Sequence, residues 1–168
     1  LNLSADHLDR HPDVHAYARA KARVFAHQGS GDWRVLNADQ PETLALGTGA
    51  AREVQYSSTR TLDLGVYVRD GVVRHRTSEG EVALVPLGVA RLPGRHMTSN
   101  VVAATAISCL AGASVDGMTA ALSSFTGLEH VLEPVGEVDG VRFVNDSKAT
   151  NVDAAGRSIE SFTGVVAI

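Results

Sequence analysis

Trp33-Arg34-Val35-Leu36-Asn37-Ala38-Asp39-Gln40-Pro41 is the stretch that decides the fold class. Its first four residues read as a short buried strand, and Asn37 to Pro41 form the loop leaving the strand's carboxyl end. Strand, loop and helix in alternation is the pattern of an α/β protein. Upstream, Pro12-Asp13 opens a helix expected to run to about His27, with Val14, Tyr17, Ala18, Val24 and Phe25 at helical spacing. Lys21 falls on that same face, four residues after Tyr17 and four before Phe25, so its stem is expected to run along the core side.

Downstream of the loop, Gly47 to Thr61 is polar and turn-rich and carries no recognisable chemistry. Val66 to Arg69, Asp70-Gly71 and Val72 to Arg74 then read as a hairpin, because Asp-Gly tolerates the positive φ angles of a tight type I′ turn. Val82 to Leu87 adds a strand. Gly94 to Asn100 leads into a helix of small residues, Val101 to Leu110, suited to close packing on a sheet and closed by Gly112. Ser114 can cap a second helix with Met118, Ala121, Leu122 and Phe125 on one face, ending at Gly127. A second Asp-Gly hairpin, Val131 to Val138 and Val141 to Val144 about Asp139-Gly140, is followed by Asn145 to Asn151, a helix through Ile159 and Phe162, and an expected strand at Val165 to Ile168. The change of pattern places a domain boundary near Glu129, dividing the chain into 1–128 and 129–168.

Composition narrows the function classes. The 168 residues carry 15 Lys+Arg against 19 Asp+Glu, a formal net charge of -4, which excludes the broad basic field of a routine nucleic-acid binder. With 44% hydrophobic and 20% charged residues, a packed core is expected. No apolar run approaches the roughly 18 to 20 residues of a membrane-spanning helix, so no membrane insertion is expected. Leu1-Asn2-Leu3-Ser4 is neither a signal peptide nor a normal initiator, and the expectation is a cytoplasmic chain cut from something longer. The single cysteine, Cys109, sits among small apolar residues and reads as a core thiol.

Of the 15 basic residues only Lys21 and Lys148 are lysines. A lysine kept in an arginine-rich chain suggests a need for a primary amine, which can lose its proton, form a covalent adduct or act as a compact charge on phosphate. Lys148 lies in Asp146-Ser147-Lys148-Ala149-Thr150-Asn151, after a strand and before a helix. That places an acid, an amine and two hydroxyls at a carboxyl sheet edge, where α/β proteins bind ligands, beside helix-start N–H groups that favour an anion. The same run also reads as an ordinary helix start capped by Thr150 or Asn151. His7, His11 and His15 are four apart, but Pro12 prevents one helix face from presenting all three, which argues against a three-histidine zinc site and leaves a single-histidine metal ligand or plain surface histidines. No Gly-x-x-x-x-Gly-Lys loop occurs in the chain.

Four segments together resemble the Mur ligases, ATP-dependent amide-bond-forming enzymes of peptidoglycan precursor synthesis. They are Leu1 to Arg10, the Tyr17 to Phe25 helix with Lys21, Leu92-Pro93-Gly94-Arg95-His96 with Asn100, and Asn145 to Asn151. The wording of the last is closest to the branch that adds D-glutamate to the UDP-muramoyl-alanine precursor. The resemblance implies the latter part of the central ATPase domain over 1–128 and the first elements of a Rossmann-like C-terminal domain over 129–168, from a parent expected to be monomeric. It implies His7 as a magnesium ligand and Lys21 as a lysine that becomes carbamylated and joins the same metal. The residues agree, since an amine against apolar side chains is favoured in its neutral, carbon-dioxide-reactive form, and a carbamate is an oxygen ligand of the kind Mg2+ prefers.

The resemblance further implies that Asn100, His130, Asp146 and Lys148 contact ATP and that Thr150 helps hold D-glutamate. The reaction it implies runs from substrate carboxylate to acyl phosphate to amide. Two positions depart from the family pattern: Met97 stands where asparagine is usual after His96, and Val131 where arginine is usual after His130. Both usual residues serve the nucleotide. A Mur-type ligase for a different amino acid, or a non-catalytic remnant, are the competing readings.

Overall fold

The computed structural model describes residues 2–3, 9–92 and 95–168. His7, and with it half of the expected lysine and histidine pair, lies outside the described residues. Helix α1 (Val14–Ala22) begins at Asp13, whose carboxylate caps the Ala16 N–H at 2.6 Å. It ends earlier than expected. A 3-10 turn, Arg23–Phe25, replaces its last turn, and the tighter winding swings Val24 out to 63% exposure while Phe25 stays half-buried. Val14 is also exposed, so the protected face is Tyr17, Ala18, Lys21 and Phe25, narrower than the sequence spacing predicts.

Strand β1 (Trp33–Asn37), the short helix α2 (Pro41–Leu44) and strands β2 (Arg52–Ser57), β3 (Gly65–Arg69), β4 (Val72–Thr77) and β5 (Gly80–Pro86) follow. They form one five-stranded sheet in the order β1-β2-β3-β4-β5, parallel from β1 to β3 and antiparallel from β3 to β5. The α/β class stands. The Asp70-Gly71 hairpin also stands, with φ of 52° and 71°. Strand β2 corrects the reading of Gly47 to Thr61 as turn-rich: Arg52, Glu53 and Gln55 obscure a strand whose Val54 and Tyr56 pack on the core. β5 starts two residues before Val82, at the hairpin glycine.

The link from β2 to β3 is only seven residues long, short for parallel neighbours. It suffices because the strands overlap only at Tyr56↔Val66 and Ser57↔Tyr67, so the chain has little distance to regain. Gly65 enters at φ 123°, where a Cβ would lie 2.3 Å from the Gln55 carbonyl oxygen, and only glycine fits.

Helix α3 (Arg95–Leu110) starts six residues before the expected Val101 and so contains Asn100. Val101, Val102, Thr105 and Ala106 are buried at helical spacing, and Val102 and Ala106 pack with Tyr56, Val66, Val73 and Val85 of the sheet. Helix α4 (Val115–Ser124), capped by Ser114, adds Met118 to that core. A separate two-stranded sheet, β6 (Glu133–Val138) and β7 (Val141–Asn145), turns at Asp139-Gly140 as expected. Helix α5 (Val152–Glu160) is capped by Asn151, which accepts from the Ala154 N–H at 2.8 Å. Val165 to Ile168 is not a strand: the run is apolar, but no described strand lies beside it and Val166 is 85% exposed.

Candidate functional site

Lys21 is half-buried on α1. Its Nζ donates to the Asn2 backbone oxygen at 3.2 Å and lies 4.9 Å from the Tyr17 ring centre. Lys21, Asn2 and Asn100 line one cavity of about 520 Å3, walled by apolar side chains that include Phe25, Leu36 and Ile107. The structure therefore brings together two residues that are 79 apart in sequence, Lys21 from α1 and Asn100 from α3. Asn100 also points its Nδ2 at the Met97 sulfur, 3.7 Å away, one turn earlier on the same helix.

Asn37, which sequence reasoning did not single out, ends β1 and is 3% exposed. Its Nδ2 donates to Asn2 Oδ1 at 2.8 Å, its Oδ1 accepts from the Asp39 N–H at 2.9 Å, and its carbonyl accepts from Thr43 Oγ1 at 2.6 Å. Gln40 Oε1 accepts from the Leu3 N–H at 2.9 Å. The segment Asn2-Leu3 is thus tied to the carboxyl end of β1 at two points.

Two residues further on, Asp39 collects hydrogen bonds from Ser57 Oγ, the Ser58 N–H, Ser58 Oγ and Thr59 Oγ1 at 2.5 to 3.0 Å. Burial pushes its carboxyl upward, but the donors outweigh burial and hold it below the ordinary 3.8. Asp39, Ser58, Thr59 and Ser99 line a second cavity of about 590 Å3, closed on its other side by Val152, Asp153 and Arg157 of α5. Asn2 lines both cavities. The position of this polar group, at the carboxyl ends of two parallel strands, is the signal that could have found it.

The remaining expected residues form a second group. His130 stands at φ 66°, and its carbonyl accepts from the Lys148 N–H at 3.1 Å. Asn145 Nδ2 lies 2.9 Å from His130 Nδ1. Asp146 is used within the fold: one oxygen accepts from the Leu132 N–H at 3.0 Å and the other from the Ser158 hydroxyl. Lys148 and Thr150 are exposed, on a loop closed by the Thr150 N–H on the Lys148 carbonyl at 2.9 Å. Val131 follows His130 in the same turn, half-buried.

Among the described residues no group of three or more His, Cys, Asp or Glu is arranged to hold a metal ion. Cys109, packed against the core, and His75 lie 3.8 Å apart, and burial raises the thiol while lowering the imidazole, both shifts favouring the neutral forms. No helix among the described residues is long and apolar enough to cross a membrane.

A mixed sheet with helices over its core face and polar groups at the carboxyl ends of its parallel strands defines an α/β domain with its ligand-binding edge at those strand ends. Residues 1–108 match the Mur ligase middle domain, and the chain belongs to the Mur ligase family. It is 40% identical over 163 residues to the UDP-N-acetylmuramoylalanine--D-glutamate ligase of Pelotomaculum thermopropionicum, covering 96% of this chain and 36% of that protein. To the ligase of the same name from Acidobacterium capsulatum it is 41% identical over 167 residues, covering 98% and 36%. The chain therefore spans about a third of the length of these curated relatives. Among solved structures, MurF from Acinetobacter baumannii superposes with a TM-score of 0.71 at 17% identity, over 98% of this chain and 37% of its own. A pseudomurein peptide ligase type C from Methanothermus fervidus gives 0.68 at 15%, over 96% and 40%. At such identities these two likenesses bear on the fold.

Proposed function

We propose that this chain is part of an ATP-dependent ligase that joins D-glutamate to UDP-N-acetylmuramoyl-L-alanine in the cytoplasm, a step of cell-wall peptidoglycan precursor synthesis. The observation that carries the reading is the 40% identity, along 96% of the chain, to a curated ligase of that name. Residues 1–128 are assigned to the central domain and 129–168 to the start of the C-terminal one. Support for this division comes from the two sheets, β1 to β5 and β6 to β7, which share no strand pairing.

Each expected group fits its proposed ligand on chemical grounds. Lys21 reaches a cavity with its amine on the Asn2 backbone carbonyl and beside the Tyr17 ring, where a neutral nitrogen could meet carbon dioxide. Its carbamate, with His7, would hold Mg2+, whose charge stabilises the phosphoryl oxygens when it is bound. Asn100 would hold the nucleotide from the same cavity. The exposed Lys148 would place a compact positive charge on ATP, with His130 near the adenine or ribose. Asp146 would contact ATP through an oxygen it also uses within the fold, and Thr150 would help orient the amine of D-glutamate. The chemistry itself is phosphorylation of the precursor carboxylate followed by attack of the D-glutamate amine, with loss of phosphate.

The test is a chimaera in which these 168 residues replace the matching third of the Pelotomaculum thermopropionicum ligase. Phosphate release that requires ATP, the muramoyl precursor and D-glutamate supports the reading. Release with another amino acid instead favours a different Mur-type ligase, and none with any amino acid favours a non-catalytic remnant.

A further inference from the structure

We propose that Asn37, acting through Asn2, is the positioning residue for the Lys21 amine, an inference that rests on reading Lys21 as the lysine that becomes a carbamate. Asn37 is almost fully buried, so leaving its amide unpaired is costly and its hydrogen bonds persist. The Asp39 N–H can only donate, which makes the end of Asn37 facing it the oxygen. The NH2 end is then the one directed at Asn2 Oδ1, 2.8 Å away. This bond, with the Leu3 N–H on Gln40 at 2.9 Å, fixes the place of the Asn2 backbone carbonyl, and that carbonyl is the acceptor for Lys21 Nζ at 3.2 Å.

A backbone carbonyl only accepts, and it accepts from ammonium, neutral amine or carbamate N–H alike. The nitrogen therefore keeps its place throughout the reaction. In forming the carbamate, the lone pair of neutral Nζ attacks carbon dioxide, one C=O electron pair moves onto oxygen, and one N–H proton leaves to solvent. The proton that remains on nitrogen points at Asn2. A carbamate is planar, so fixing its N–H direction fixes the plane of the group and the direction in which its carboxylate projects. Without the Asn37 contact, the bond from Leu3 to Gln40 is what ties this segment to the strand end among the described residues, and the Lys21 amine loses its fixed acceptor.

The experiment uses the 168-residue chain with Mg2+ and 13C-bicarbonate, and reads the carbamate carbon by NMR. Lys21→Arg and Lys148→Arg assign the signal, because the chain has no other lysines. Asn2→Ala and Asn37→Ala are expected to lower occupancy about three- to tenfold at fixed bicarbonate, the effect of one net hydrogen bond. Asn2→Ala removes no core side chain but strands the buried Asn37 NH2, so its melting temperature should fall by about 2–12 °C while the chain stays folded at the assay temperature, and the melting curve separates positioning from loss of fold. Wild-type occupancy in Asn2→Ala overturns the positioning role while leaving the carbamate reading intact, even if Asn37→Ala falls, because the route runs through Asn2. A wild-type protein with no Lys21 carbamate overturns both.

Discussion

Asp39→Ala removes the one acceptor for a fully buried hydroxyl, and its cost follows from the partners it strands. Ser57 is 0% exposed, and its Oγ, besides donating to Asp39, accepts from the N–H groups of Thr59 at 3.2 Å and Arg60 at 3.0 Å. Those two bonds survive the substitution, but the hydroxyl proton has nowhere to go, which costs about 1–3 kcal/mol. The Ser58 N–H also loses its acceptor in a half-buried position, while water replaces the bond to exposed Thr59. The sum is about 3 kcal/mol, and for a chain of this size each kcal/mol moves the melting temperature by about 2–4 °C. A fall of about 6–12 °C in calorimetry is expected. Asp39→Asn keeps one acceptor oxygen and should cost about half as much.

A double-mutant cycle with Ser57→Ala isolates the bond. Removing the stranded hydroxyl in the Asp39→Ala background should be milder than in the wild type, giving a coupling of about 1 kcal/mol or more. Additive costs would refute the reasoning, since they would mean that Ser57 does not depend on Asp39. The pH dependence has a definite sign. The folded carboxyl lies below its ordinary value, so its contribution is complete above pH 3.8 and is lost as pH falls through the folded value. The gap between wild type and Asp39→Asn should close in acid.

The remaining expectations concern the far end of the sheet and the proposed ligand groups. Glu81 accepts from the buried Tyr67 hydroxyl and pairs with Arg76 at 2.6 Å, Arg74 at 3.2 Å and Arg69 at 2.5 Å. The Tyr67 bond leads in holding its carboxyl down at about 2 against burial, with Arg76 and Arg69 adding to it; Glu81→Gln should therefore lower the melting temperature at neutral pH, and the difference should vanish between pH 4.5 and about 2. In the chimaera, Met97→Asn with Val131→Arg should tighten ATP binding by about tenfold, the worth of a charged hydrogen bond, as read by nucleotide titration. Lys21→Arg and Lys21→Ala should both abolish phosphate release there, with a small carboxylic acid partly restoring Lys21→Ala; full activity of Lys21→Arg would reject the carbamate.

What the sequence reveals here is local. Both hairpins follow from Asp-Gly, whose left-handed backbone is a property of the pair itself, and Ser114 announces α4 by the same kind of short-range logic. Strand β2 is hidden because a strand between two others gains its stability from neighbours, so Arg52, Glu53 and Gln55 are tolerated where the composition suggests a loop. The opposite error at Val165 to Ile168 has the same origin: four apolar residues do not make a strand without a partner to pair with. In α1, the spacing of Val14 and Val24 predicts burial only if the helix keeps its winding, and the 3-10 turn at Arg23 breaks that condition.

The candidate site divides along the same line. Lys21 stands out by composition and the Asp146 to Asn151 loop by its wording, because both are properties of single segments. Asn37 and Asn2 stand 35 residues apart, and nothing in either neighbourhood marks them as a pair. Their contact exists because β1 delivers Asn37 to the same sheet edge where Asn2 meets the Lys21 amine. A lysine can thus be recognised as chemically special from its rarity while the groups that aim it stay invisible, since aiming is a relation between distant segments that only the fold supplies. For this chain the consequence is concrete: the variants most informative about Lys21 are those at Asn2 and Asn37, which alter where the amine is held without altering the amine.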